Sequence, residues 1–314
     1  MKKGLKKFMI VCGIVAGIGA VCTVTGFAMG GFNSIDKVSD KYSWFETGER
    51  EMKCYEDYSE IESLKIDTYY NVRISSGDKD CIKVCYEDKR TTPDISNVNG
   101  RVTIAQPDDE NDVSIDLSHS DQGPYIEIIC DKDKKLSLLD LDVENEDISI
   151  SDIAAGSIMI DSEFGNVSMT NVSFDNGDIG IEDGDLVCKS VKSHGLKVES
   201  DCGNCNMSGE FAGINEIEVE DGDLNMDTSL SEKMYSVIAE AESGSISIGK
   251  TKFDSYNGRY STGYGPNKLK LHSENGNITV KYGKSEKVTS DTKNKAVQHN
   301  GHDTMDHDDD YYDD

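Results

Sequence analysis

The residues most able to do chemistry in this sequence are acidic, and they recur. Glu182-Asp183-Gly184-Asp185 and Glu220-Asp221-Gly222-Asp223 repeat one four-residue pattern 38 positions apart. Carboxylates gathered on turns bind calcium when enough oxygens converge at about 2.3–2.6 Å, so Asp183, Asp185, Asp221 and Asp223 are the candidate metal ligands of the folded region. A second donor set closes the chain: His299, His302 and His307 stand among Asp303, Asp306, Asp308, Asp309 and Asp310. Imidazole with carboxylate captures zinc, nickel or copper. Spacing argues against the first set. If the repeats stack as coils about 4.8 Å apart, equivalent carboxylates two coils apart stand roughly 10 Å from each other, too far to share an ion. Only Asp201 and Asn204 of the intervening coil would complete a mixed column. Asp and Asn beside Gly are also ordinary turn chemistry, and an acidic tail is ordinarily a solvated one. The sequence therefore predicts a protein with no required cofactor, Ca2+ being the ion its turns could take.

Catalytic groupings are sparse. His119, His194 and His272 lie in separate segments, and no nucleophile elbow, phosphate-binding loop or His-Glu-x-x-His occurs. Carboxylate pairs suited to glycoside cleavage are too numerous to single out any one. Of the nine cysteines, Cys12 and Cys22 fall in the apolar N-terminal run, leaving an odd seven for the remainder. Cys202-Gly203-Asn204-Cys205 has the spacing of a redox or zinc pair, yet no second pair accompanies it and no helix follows it. Cys188 and Cys205 fall instead at core positions of the repeat described below. No catalytic or cofactor-binding residue is predicted.

Charge excludes further classes. The 314 residues carry 60 acids against 32 bases, a formal charge of -28. Setting aside residues 1–30, with four lysines, and 284–314, with four lysines and nine acids, leaves 24 bases and 51 acids in the body of the chain. Phosphate binding needs a basic stripe, so nucleic acid is excluded as a partner. Lys2, Lys3, Lys6 and Lys7 precede an apolar run from Phe8 to about Ala28, about the 20 residues needed to span a bilayer as a helix. The positive-inside rule keeps the lysines in the cytoplasm and exports the rest. A cleaved signal peptide, with Gly26-Phe27-Ala28 as the cleavage site, is the alternative. Gly13 and Gly17 form a GxxxG pair through which two such helices could associate.

What must position all of this is a repeat. Gly165, Gly184, Gly203 and Gly222 are spaced by 19, and each precedes Asn or Asp and an alternating apolar pair. Gly244 and Gly276 continue the pattern after spacings of 22 and 32. Five positions before each of these turns, and before Glu146, which stands 19 residues ahead of Gly165, are Leu141, Ile160, Ile179, Val198, Ile217, Ala239 and Leu271. Period-2 alternation in short runs marks strands with one buried face. A hairpin would set Glu220 against Asp223 and Glu182 against Asp185, which is unfavourable; one coil per repeat, stacked in register, needs the constant period that is seen. Residues 59–140 also read as strands, and 250–268, with Phe253, Tyr256, Tyr260 and Tyr264, as a loop inserted in the last coil.

Leu64-Lys65-Ile66, Asn71-Val72-Arg73-Ile74 and Ile82-Lys83-Val84, followed by the apolar-x-apolar, Gly-Asn/Asp, apolar-x-apolar units from 158 to 280, resemble the bacterial putative-adhesin family of β-strand-repeat domains of unknown function. The resemblance covers roughly 59–283 and implies an extracytoplasmic, non-enzymatic surface domain, with envelope-stress association in some members and no catalytic residues to carry over. The expected protein is all-β: an elongated parallel β-solenoid or β-helix-like domain after one N-terminal transmembrane helix. Its parts are a cytoplasmic stub and membrane anchor (1–30), a juxtamembrane spacer (31–58), the β-repeat domain (59–283, with 19-residue repeats from about 141) and a disordered acidic His/Asp tail (284–314). The expected role is an adhesin or envelope-stress-related binding module with an unidentified envelope or surface ligand. An extracytoplasmic polysaccharide-active enzyme on the same scaffold is the alternative.

Overall fold

The computed structural model describes residues 45–46, 52–87, 92–106, 115–116, 123–254 and 258–283. All lie in one compact unit, Met1–Lys284. The expected membrane helix and the tail fall outside the described residues. Among those described, no helix is long and apolar enough to cross a membrane, and the one helical element is a 3-10 turn, Glu232–Met234. Everything else regular is strand, almost all of it in one large, mostly parallel sheet.

The sheet folds into two walls because each coil turns at its Gly-Asn/Asp corner and continues. The first wall stacks Leu136–Val143, Ala154–Phe164, Ser173–Asp183 and the later halves of Leu186–Cys202 and Cys205–Asp221. The second wall stacks Ile148–Ser151, Val167–Thr170 and the earlier parts of the same two long strands, followed by Leu224–Thr228. Alternate residues of both walls point inward and are buried. Leu141, Ile160, Ile179, Val198 and Ile217 form one inward ladder at successive coils. On the facing wall Val167, Leu186, Cys205 and Leu224 form another. Cys188 and Cys205 are therefore core residues, as their repeat positions require.

The glycine corner sets the distance between coils. Gly184 and Gly203 hold φ at +156° and +138°, and a Cβ on Gly203 would run into the carbonyl oxygen of Gly184. Their N–H groups bond to the next coil, Gly184 N to Cys202 O at 2.9 Å and Gly203 N to Asp221 O at 2.9 Å. The residue after each glycine continues the stack through its side chain. Asn166 N donates to Asp147 Oδ1 at 2.8 Å, Asp185 N to Asn166 Oδ1 at 3.0 Å, Asn204 N to Asp185 Oδ1 at 2.7 Å and Asp223 N to Asn204 Oδ1 at 3.1 Å. Asn and Asp alternate along this ladder. Each carboxylate thus has amides above and below it, and like charges are never adjacent within the ladder.

Stacking order departs from chain order at both ends. The sequence pattern places the coil of Gly276 after that of Gly244, yet Asn267–Asn275 and Ile278–Tyr282 lie between the coil of Gly222 and the coil of Gly244. The segment 250–268, read as an inserted loop, explains this. Thr251–Asp254 and Gly258–Thr262 pair antiparallel with Ser245–Ile248 and Tyr235–Ser243 and occupy their outer edge. The chain returning at 267 has only the inner edge left. The other end mirrors it: Ser63–Thr68 and Asn71–Gly77 sit inside Arg101–Ala105 and Tyr125–Asp131. Asp94–Val98 and Cys81–Glu87 close the outer edges antiparallel. Antiparallel closing strands blunt the edges that a parallel stack would otherwise leave open to aggregation.

Met52–Asp57, within the stretch expected to be spacer, adds a further strand on Cys81–Glu87, and the disulfide Cys54–Cys85 fastens it. Asp80, nearly fully buried, gathers three segments at this end. It accepts from Ile61 N at 2.9 Å, Asp131 N at 2.6 Å and Lys134 Nζ at 2.8 Å. Burial alone would push its carboxyl up, but the Lys134 ammonium and the two N–H groups hold it below the ordinary carboxylate range.

Two stability outcomes are expected. Gly203→Ala should lower unfolding free energy by about 1–3 kcal/mol, since it combines strained backbone with a carbonyl collision. Gly123→Ala, where an added Cβ meets open space, should leave it unchanged in the same denaturant titration. Asp80→Ala should cost on the order of 3 kcal/mol by stranding Lys134 and two N–H groups, read as a shifted urea midpoint with an unchanged slope.

Candidate functional site

The four predicted aspartates separate into two columns. Asp185 and Asp223 belong to the corner ladder: Asp185 Oδ1 also accepts from Asn204 Nδ2 at 3.1 Å, and Asp223 Oδ1 accepts from Asn277 N at 2.8 Å and Asn277 Nδ2 at 2.9 Å. Asp183 and Asp221 lie in register on either side of Cys202, in the column Phe164, Asp183, Cys202, Asp221, Asn275. The structure does not bring the four together. Among the described residues no group of three or more His, Cys, Asp or Glu side chains is placed to hold a metal ion. His299, His302 and His307 lie outside the described residues. Cys202 is exposed while Cys205 is buried, so the Cys-x-x-Cys pair straddles the corner with its two thiols on opposite sides of the wall. Burial pushes the Cys205 thiol up to about 12. Cys202 is raised as well, by desolvation and then by Asp221 and Asp183.

What the sequence pattern did not reveal is how sharply the outward side chains sort between the walls. On the first wall, the pairing places Glu144, Glu163, Glu182, Asp201, Glu220, Glu274 and Glu242 in one column, an acid on every coil. Asp67, Asp142 and Asp161 stack likewise in a neighbouring column. Asp201 and Glu274 raise the Glu220 carboxyl. Burial, with Asp67 and Asp161, raises that of Asp142. Two lysines on this wall are paired with acids, Lys65 with Asp140 at 2.8 Å and Lys270 with Glu216 at 3.1 Å. Farther along, His272 stands in register between Glu218 and Glu240. A shallow groove of about 190 Å³ is lined there by Glu216, Glu218, Ile238, Glu240, Lys270 and His272.

The second wall is different in kind. Its outward columns read Ser149, Ser168, Val187, Asn206, Asn225, Thr279, Ser247 and, beside them, Ser151, Thr170, Lys189. The second column resumes as Ser208, Asp227 and Lys281. Asp227 is the one acid among them. The column breaks because the chain carries an extra residue between Cys188 and Val191, opposite Met207 and Gly209. Ser208 Oγ closes the gap by donating to Cys188 O at 3.1 Å. A groove of about 250 Å³ opens over this irregularity and extends across four strands to Lys281.

The chain matches the Toastrack DUF4097 family over residues 61–210 and 112–281, and it belongs to that family. Among solved structures, it is similar to a putative adhesin from Bacteroides fragilis NCTC 9343 at 9% identity, covering 76% of this chain and 99% of that one, with a TM-score of 0.41. It is also similar to a putative cell adhesion protein from Clostridium sporogenes ATCC 15579 at 14% identity, covering 74% and 100%, with a TM-score of 0.36. A third similar structure, at 10% identity, is a putative lipid binding protein from Parabacteroides distasonis ATCC 8503, covering 76% and 99%, with a TM-score of 0.33. No curated protein matches.

The acidic columns carry a pH signature. Folding raises the Glu220 and Asp142 carboxyls, so the folded chain takes up their protons more readily than the unfolded one. Their contribution to stability is present below the ordinary carboxylate range and lost as pH rises through the raised values. Asp57, held low by Ser59, Asp80, held low by Lys134 and two N–H groups, and Asp175, held low by Lys135, act in the opposite sense at lower pH. The melting temperature at low salt should rise as pH falls from neutral towards the ordinary carboxylate range, then fall on further acidification. The rise should be smaller in Glu220→Gln and in high salt, which screens exposed charges. A melt that only declines on acidification would contradict this account.

Proposed function

We propose that this chain is a non-enzymatic binding module displayed at the cell surface, an adhesin or envelope-stress-related binder. Residues Phe8–Ala28 anchor it in the membrane with the N-terminus inside. Residues 31–51 lead out to an elongated β-solenoid over about 52–283, and the acidic tail follows. Gly13 and Gly17 offer the anchor a face for self-association. The observation that carries this reading is the sorting of outward side chains between the walls, an acid on every coil in the column from Glu144 to Glu242 and mostly Ser, Thr and Asn on the other wall. A regular array of this kind suits an extended or repetitive ligand better than a small molecule held in one pocket. The disulfide Cys54–Cys85 supports display in an oxidising, extracytoplasmic setting.

The other reading, a polysaccharide-active enzyme on the same scaffold, draws on the groove around His272 with Glu218 and Glu240. One experiment addresses both. The purified full chain is incubated with cell-envelope fractions and a polysaccharide panel, and bound protein and released reducing ends are measured together. Saturable binding without release is the expected outcome. Release by the wild type that disappears in His272→Ala would favour the enzyme, and absence of binding to every fraction would end the module reading.

A further inference from the structure

The groove on the second wall has the chemistry of a carbohydrate site. It runs across the strand from Leu186, the strand from Cys205, Leu224–Thr228 and Ile278–Tyr282. Three independent features meet there. The first is shape: the 19-residue register holds through the preceding coils and breaks in a β-bulge at Lys189-Ser190, and the groove of about 250 Å³ lies beside that break. Bulges of this kind re-aim side chains and are concentrated beside functional sites. The second is hydrogen-bonding capacity. Asn206 and Asn225 lie side by side on adjacent strands, and Asn225 Nδ2 donates to Asn206 Oδ1 at 3.2 Å. That contact uses one Asn225 amide proton and the Asn206 carbonyl, and the Asn206 amide protons and the Asn225 carbonyl take no part in it. Ser208 and Thr279 add hydroxyls. Val187 supplies the apolar floor, while Met207 and Met226, which also line the groove, are nearly fully buried beneath it.

The third feature is charge. On a chain of net charge -28, this wall carries only Lys189, Lys281 and Asp227 from Ser149 to Lys281, and all three line the groove, where Asp227 lies in register beside Lys281 and leaves Lys189 as the one charge in excess. An anionic polymer would be repelled by the rest of the surface, and a cationic one would be drawn to the acidic columns of the opposite wall. A ligand with hydroxyls along its edges, apolar C–H faces and no net charge suits the groove. We propose that it binds a neutral glycan chain, with Asn206 and Asn225 as the central hydrogen-bonding pair and the apolar floor beneath a sugar ring. This rests on the reading of the chain as a surface binding module and names the chemistry of its ligand.

The test is calorimetric titration of the full chain with cellohexaose, chitohexaose, maltohexaose and mannohexaose, with hexagalacturonate as the acidic comparison. Binding of at least one neutral oligosaccharide is expected. Asn206→Ala with Asn225→Ala should weaken it about thirtyfold, the loss of two neutral hydrogen bonds. Glu163→Gln on the opposite wall should leave it unchanged, and all three proteins should melt together, because these side chains are outward. The inference is overturned if no neutral oligosaccharide gives heat, if the double variant binds as the wild type does, or if hexagalacturonate binds more tightly than every neutral chain. Binding to cell-envelope fractions that persists in the double variant would overturn the groove assignment while leaving the module reading intact.

Discussion

The contact between successive glycine corners is the constraint on which the rest of the molecule depends. Coils stack at strand spacing only if the corner backbones approach until a Cβ would strike the neighbouring carbonyl, and glycine alone permits that approach at these φ values. Once the corners touch, every residue of one coil lies over its counterpart in the next. Alternation along each strand then becomes a set of columns, inward ones apolar and outward ones polar. The Asn/Asp ladder beside the glycines reinforces the same register with side-chain oxygens and backbone N–H groups. A repeat of this design has little freedom in length, which is why the 19-residue period is strict where stacking is regular.

Stacking also forces like residues together, and the molecule handles this differently on its two walls. Along the corner ladder, Asn alternates with Asp, so each carboxylate sits between amides. Along the column containing Glu220, an acid recurs on every coil and its charge is left to solvent, at the cost visible in the raised Glu220 carboxyl. The second wall avoids the difficulty with Ser, Thr and Asn. The net charge therefore does not cover the molecule evenly: it is concentrated on one wall and at the corners, and the facing wall is close to neutral.

Closing the ends required a departure from simple succession. A parallel stack has two open edges, and each is covered by strands running the other way. Because a strand reached through a short turn falls naturally on the outer edge of its predecessor, the chain that comes back afterwards is left with the inner position. The consequence is preserved alternation: Asn277, not Ser245, follows Asp223 in the corner ladder, and Ser245 then bonds to Asn277. The interleaved topology and the ladder chemistry are consistent with each other.

Much of the architecture was legible in the sequence, because one coil per 19 residues leaves its mark as spacing: the glycines, the Asn or Asp after them, and the inward ladder from Leu141 to Ile217. Cys188 and Cys205 could be assigned to the core from repeat position alone. The candidate site was less legible. Asp183, Asp185, Asp221 and Asp223 look alike in sequence, but the corner sends the first of each set outward beside Cys202 and binds the second into the ladder. The order of the last two coils, the pairing of Cys54 with Cys85, the bulge at Lys189 and the unequal charge of the two walls depend on contacts between residues far apart in the chain. Local spacing determines what each coil is, since turn and pleat are properties of neighbouring residues. Which coil lies against which, and hence which surface chemistry accumulates on each wall, is settled only when edges compete for partners in the folded stack.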